Sequence, residues 1–319
     1  NTYSGLTTVS AGELRVTSAG AIGGNNITVT NGQLALDGGI TVSGKSLTTS
    51  GSGNNFFGGL QSVTGTNEWA GSVLIGADNS RIGSRKNASL VVSGAIGDGA
   101  NTYSLVIRNE GAGTNNNGAG NANTVTVLSG ANTYGGNTQL INGLTKLDGG
   151  NNRLPTSTIL QFGLATTNAK FDMNGRNQEV AGLSVTSTGT DANRDWNANE
   201  LTNSSLTLST LTVNTAADQT FGGTLTNNVG IITGNIALVK DGSAKLTLSA
   251  TNTYTGSTTV TAGTLVINGN ISTSTTTVQS GGTLAGSGTT GSVIVDNGGT
   301  LAPGNSPGTL TVSGDLGLN

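Results

Sequence analysis

Near the C-terminal end of this chain, Val260, Val278, Val295 and Val312 recur at intervals of 18, 17 and 17 residues. Leu265, Leu284 and Leu301 follow them at intervals of 19 and 17. A fixed period of this size is the mark of a solenoid. One coil cannot bury its apolar face alone, so it must stack on its neighbours.

Residue type says what a coil is made of. The apolar runs are short and alternate, as in Thr264-Leu265-Val266-Ile267 and Thr309-Leu310-Thr311-Val312. Short alternating runs of β-branched residues read as strands. No segment keeps a 3.6-residue period long enough for a helix. Gly-Gly, Asn-Gly and Ser-Gly pairs between the runs supply corners. A β-sandwich is the competing reading, but it calls for turns every 8–12 residues and hairpin reversals. We therefore expect an all-β fold, a right-handed parallel β-helix (β-solenoid) of about sixteen coils, roughly 75 Å long at the spacing of paired strands. In this reading residues 1–319 are a single β-solenoid. The polar stretches near 111–123 and 186–204 are loop insertions that leave it at corners.

The repeat is already present at the start. NTYSGLTTVSAGELRV at 1–16 aligns with NTYTGSTTVTAGTLVI at 252–267. Asn1, Tyr3 and Gly5 thus match Asn252, Tyr254 and Gly256. A third copy, NTYGGNTQLINGLTKL from residue 132, keeps Asn132, Tyr134 and Gly136 but has Thr145 where Leu265 stands. A fourth partial copy, ANTYSLVIRNEG at 100–111, puts Leu105 in place of the Gly and predicts a different corner. The Tyr is expected to cap the apolar interior at a corner with its hydroxyl in water. The Asn suits a turn, and would ladder if copies lay one above another. The Gly lets the chain round the corner without a Cβ clash. These residues, with the column Val260, Val278, Val295 and Val312, read as scaffold.

The run I-x-L-x-K-x-G-x-x-x-L-x-L-x-x-x-N-x-Y-x-G at 236–256, followed by STTVTAGTLVING, resembles the passenger-associated transport repeat, the autotransporter-associated β-strand repeat of large Gram-negative surface proteins. GGTLAPGNSPGTLTVSG at 298–314 resembles a segment of the same family. The resemblance covers 1–36, 100–150 and 236–319. It implies a β-helical stalk exported across the outer membrane, with the translocating β-barrel elsewhere. It implies architecture more than activity.

Composition narrows the chemistry. There is no His and no Cys among 319 residues, and the 13 basic and 16 acidic residues are scattered. The usual triads, thiol nucleophiles and zinc ligands are thus missing. Without a basic stripe, nucleic acid is not an expected partner. No apolar run is long enough for a membrane-spanning helix. Without a Met or a leader at Asn1, the chain reads as a processed or excised piece.

Carboxylate pairs remain the one catalytic option, as in glycoside hydrolysis. The candidates are Asp191, Asp195 and Glu200, and the pair Glu68 and Asp78. Asp37 and Asp148 stand in single L-D-G-G corners, unlike tandem calcium repeats. Arg81, Arg85 and Lys86 read as a solvated basic corner. No Gly-rich stretch carries the Lys-Ser/Thr of a phosphate loop.

We therefore expect a non-catalytic extracellular scaffold with no catalytic residues, cofactor or metal. It is a stalk or adhesin-type passenger of the cell surface, anchored to the outer membrane or released. The first alternative is the subunit of an extracellular filament or sheath, assembled end to end through uncapped solenoid termini. The second is a polysaccharide-degrading β-helix enzyme. Partners in the leading reading are a second copy at the solenoid ends and a host or bacterial surface ligand.

Overall fold

Short runs of Val, Thr, Ile and Leu broken by glycine can only make short strands, and the strands run from two to seven residues. The computed structural model describes residues 1, 3–54, 57–110, 124–165, 167–187, 199–222, 230–304 and 308–319. Strand pairing among them is parallel throughout.

The chain winds over three faces. Ile27–Val29 lies on the first, Gln33–Leu36 on the second and Thr41–Val42 on the third. Leu47–Thr49 then returns to the first and pairs with Ile27–Val29. The second face carries an eight-stranded sheet, from Glu13–Val16 to Gly182–Ser187. A five-stranded sheet, from Gln219–Phe221 to Thr300–Pro303, continues it. That makes about a dozen turns, roughly 60 Å of stack at the spacing of paired strands.

About sixteen coils were expected, and the difference has a plain origin. The 17–19-residue period holds only where Leu246, Leu265, Leu284 and Leu301 face one another. Upstream, successive coils on the same face run from Leu34 to Leu60, from Ile82 to Ile107, and from Ile107 to Leu140. Those coils are longer because their corners carry extra chain, so fewer of them fit.

Inside, side chains stack in columns along the axis. Leu14, Leu34, Leu60, Ile82, Ile107, Leu140, Phe162 and Val185 are successive partners in eight layers. On the third face Val42, Trp69, Val92, Leu128 and Leu147 do the same. Buried apolar residues from Val9 to Val295 form one continuous cluster. Each fully buried Leu, Ile or Phe contributes about 1.5–3 kcal/mol, so the stack draws its stability from repetition. Alternation sends Thr8, Thr28 and Thr48 outward from the first face in register.

The stretch 111–123 lies outside the described residues. Of 186–204, residues 188–198 also lie outside them. The flanks are strand: Gly182–Ser187 pairs with Ile159–Ala165, and Asn199–Thr202 pairs with Lys170–Asp172.

Candidate functional site

The repeat residues were the strongest sequence signal, and their geometry comes first. Tyr134 and Tyr254 are completely buried. Their hydroxyls therefore do not stay in water, as the sequence reading had them. Each meets the Thr four residues on: Tyr134 to Thr138 Oγ1 at 2.5 Å, and Tyr254 to Thr258 Oγ1 at 2.7 Å. The network then crosses to the next coil. Thr138 meets Thr158 Oγ1 at 2.9 Å, and Thr258 meets Ser274 Oγ at 2.8 Å. Thr158 donates back to the Gly136 carbonyl at 3.1 Å, and Ser274 to the Gly256 carbonyl at 2.8 Å. A hydroxyl has one proton, so the direction follows: the Tyr donates to the first Thr, which donates to the next coil. Tyr3 makes the same bond to Thr7 but is partly exposed. Tyr103 lacks the partner, since Ile107 stands four residues on; instead its backbone N–H binds Asp98 Oδ2.

Burial pushes the Tyr254 phenol up to about 12, against the lowering effect of its hydrogen bonds, and pushes Tyr134 up as well. A folded pKa above the unfolded value of about 10 means that stability is complete below pH ~10 and is lost as pH rises through about 12. On alkaline titration, Tyr134 and Tyr254 should stay protonated until the chain unfolds. Phenolate absorbance followed beside circular dichroism checks this. All four tyrosines ionising in one step, with the strand signal intact, would refute the buried network.

The asparagines do something the sequence did not announce. The first face has no strand between Ile96–Gly97 and Gln178–Val180. There the Asn132 side chain accepts from Ile96 N at 2.8 Å below and donates to Arg153 O at 2.8 Å above. Asn252 bridges the matching gap on the third face. Its Oδ1 accepts from Ile232 N at 2.8 Å, and its backbone N–H donates to Asn270 O. A side-chain amide thus replaces a missing piece of ladder. The copies do not lie one above another, so no asparagine ladder joins them.

The column of valines holds for three of its four members. Val260, Val278 and Val295 are successive partners, but Leu318 follows, while Val312 sits opposite Thr290 on another face. The long, irregular chain between Val295 and Leu318 shifts the equal spacing onto a different face. Upstream, the column passes through a lysine: Val180, Val213, Lys240, Val260. Lys240 is fully buried, and its Nζ donates to the carbonyls of Asp241, Gly242 and Ala262 at 2.6, 2.9 and 3.2 Å. Burial lowers its pKa, with Asp241 opposing.

The acidic candidates are not gathered. Glu68 accepts from Ser93 Oγ and Thr41 Oγ1 on the third face. Asp78 lies at the corner between Val73–Ile75 and Ser80–Ser84, held by Ser104 N and Asn79 Nδ2. Glu200 pairs with Lys170 at 2.9 Å; Asp191 and Asp195 lie outside the described residues. Asp37 is held low first by the Thr64 hydroxyl and then by Arg15. Asp148 is held low first by the Gly149 N–H and then by Arg176. Among the described residues no three acids come together as a metal site would need.

The basic trio is not a solvated corner. Arg81 lies in mid-strand and is partly desolvated. Arg85 pairs with Glu13 and donates to Gln61 and Gln33, at 3.0 Å each. Only Lys86 sits exposed at the turn.

The family model described as the passenger-associated transport repeat matches residues 1–16 and 238–267. The chain therefore carries the repeat of autotransporter passengers, set in a parallel β-solenoid. Residues 132–147 are not among those matched, yet the structure repeats the same hydroxyl network there. A search of curated proteins found no match, and neither did a search of solved structures.

Proposed function

We propose that this chain is an exported, non-catalytic part of a cell-surface protein, a stalk that holds other parts of that protein away from the membrane. The observation that supports it most is where the repeat residues spend their polar groups. The Tyr hydroxyls and Asn amides of the copies at 132 and 252 are used up inside the solenoid, joining one coil to the next. A motif bound in this way offers nothing to a ligand. The transport repeat favours a secreted or surface location, and a uniform stack of coils suits a rigid spacer. The dispersed carboxylates give no pair that flanks a bond, as hydrolysis of a polysaccharide requires.

The test is direct. Purified residues 1–319 should sediment as a monodisperse monomer at high concentration and appear as short rods, roughly 60 Å of solenoid long. Growth of uniform fibres with concentration would replace the stalk by the end-to-end filament. Depolymerisation of a surface polysaccharide, lost in Asp195→Ala, would replace it by an enzyme.

A further inference from the structure

On the outer side of the second face, Gln61, Gly83 and Arg108 are successive partners in three layers. The link to Arg108 follows from the register that sets Ile82 against Ile107. Ile82 and Ile107 point into the core, so Arg81, Gly83 and Arg108 point out. Gln61 and Arg108 are then about 10 Å apart along the axis, and Arg81 stands about 7 Å to the side of Gly83. Gly83 has no side chain to fill the space between them.

Three features mark this notch. Arg81 and Arg108 lie close enough that Arg81 lowers the Arg108 pKa further, beyond the effect of burial. Arg108 has no acidic partner among the described residues, whereas Arg85 nearby is matched by Glu13. Gln61 is fully buried; its Oε1 is fixed by Arg85, and its Nε2 has no hydrogen-bond partner. Phe57 closes one side, with its ring 5.7 Å from the Arg108 guanidinium carbon.

Two like charges and an unused amide donor at one spot are costly in the empty protein. Guanidinium forks match the oxygens of carboxylate, sulfate and phosphate groups. We infer that the notch formed by Gln61, Arg81 and Arg108 binds an oxyanion, either as a free ion or as the acidic group of a saccharide. The Arg side chains supply the charge-assisted contacts, Gln61 Nε2 supplies an amide donor, and Phe57 supplies an apolar wall. This site is independent of the stalk reading and survives its failure.

Calorimetric titration with sodium sulfate, and separately with a sulfated oligosaccharide, tests it. Sodium chloride at equal ionic strength removes general screening. Saturable binding of sulfate is expected, with affinity at least about tenfold lower in Arg108→Met and intermediate in Arg108→Lys, which keeps the charge but loses the fork. Arg176→Met, at an arginine already paired with Asp148, should bind like the parent. Tighter binding of the oligosaccharide assigns the site to a saccharide, and equal binding assigns it to a free ion. No saturation beyond chloride, or unchanged binding by folded Arg108→Met, overturns the inference.

Discussion

Gly256→Ala is expected to cost about 3 kcal/mol of stability, while Gly5→Ala leaves stability unchanged or raises it by about 0.5 kcal/mol. The two glycines occupy the same place in the repeat, so the contrast isolates what the repeat Gly is for. A Cβ at Gly256 would lie 2.4 Å from the Ile236 carbonyl oxygen and 2.6 Å from its carbon. At Gly136 it would lie 2.5 Å from Ser104 N. These obstacles are backbone atoms of the coil below, and they cannot swing aside as a side chain would. Neither glycine has a positive φ, so the requirement is closeness and not conformational freedom. At Gly5 nothing stands within 4 Å, and the substitution only stiffens the unfolded chain. Denaturation midpoints of the three proteins decide the matter. Equal losses at positions 5 and 256 would mean that coil-to-coil contact is not the reason for the glycine.

Much of this architecture was legible because solenoid folding is local in sequence. Strand composition and the 17–19-residue period around Val260 and Leu265 led to parallel stacking, since a strand's partner is the next copy of itself. The expectation failed where spacing alone was trusted. Val312 keeps the interval but not the face, because spacing counts residues and a corner can absorb any number of them. The coil count failed for the same reason upstream, where Ile107 and Leu140 are partners 33 residues apart. The hydroxyl network was half visible: Thr7, Thr138 and Thr258 follow their tyrosines at the same distance. Its second half was hidden, because Thr158 and Ser274 come from the following coil and share no pattern. The Gln61, Arg81 and Arg108 notch was not legible at all, since only the register places those layers together.

Lys240→Glu is expected to cost about 3–5 kcal/mol, and Lys240→Met about 2 kcal/mol. The ammonium sits in an otherwise aliphatic column, so both its presence and its removal have consequences. Three carbonyl oxygens surround Nζ. A glutamate would set a carboxylate against those same oxygens, with no water to screen the repulsion. A methionine removes the charge and fills the column, which by itself is neutral or better. It also withdraws the donor. Asp241 O keeps the bond from Thr215 N, but Gly242 O and Ala262 O lose the contact to Nζ, and lost buried contacts of this kind account for the expected 2 kcal/mol. The pH dependence separates the charge from the packing. Burial lowers the folded pKa of Lys240 below its unfolded value of about 10.4, so the unfolded chain holds more protons, and this residue's contribution to stability rises with pH across that window. The buried tyrosines act in the opposite sense above pH ~10. Lys240→Met should therefore lose the alkaline gain while keeping the tyrosine loss, giving a steeper fall in stability above neutral pH than the parent shows. Parallel stability curves for parent and Lys240→Met would mean that the ammonium is not desolvated as its place in the column requires.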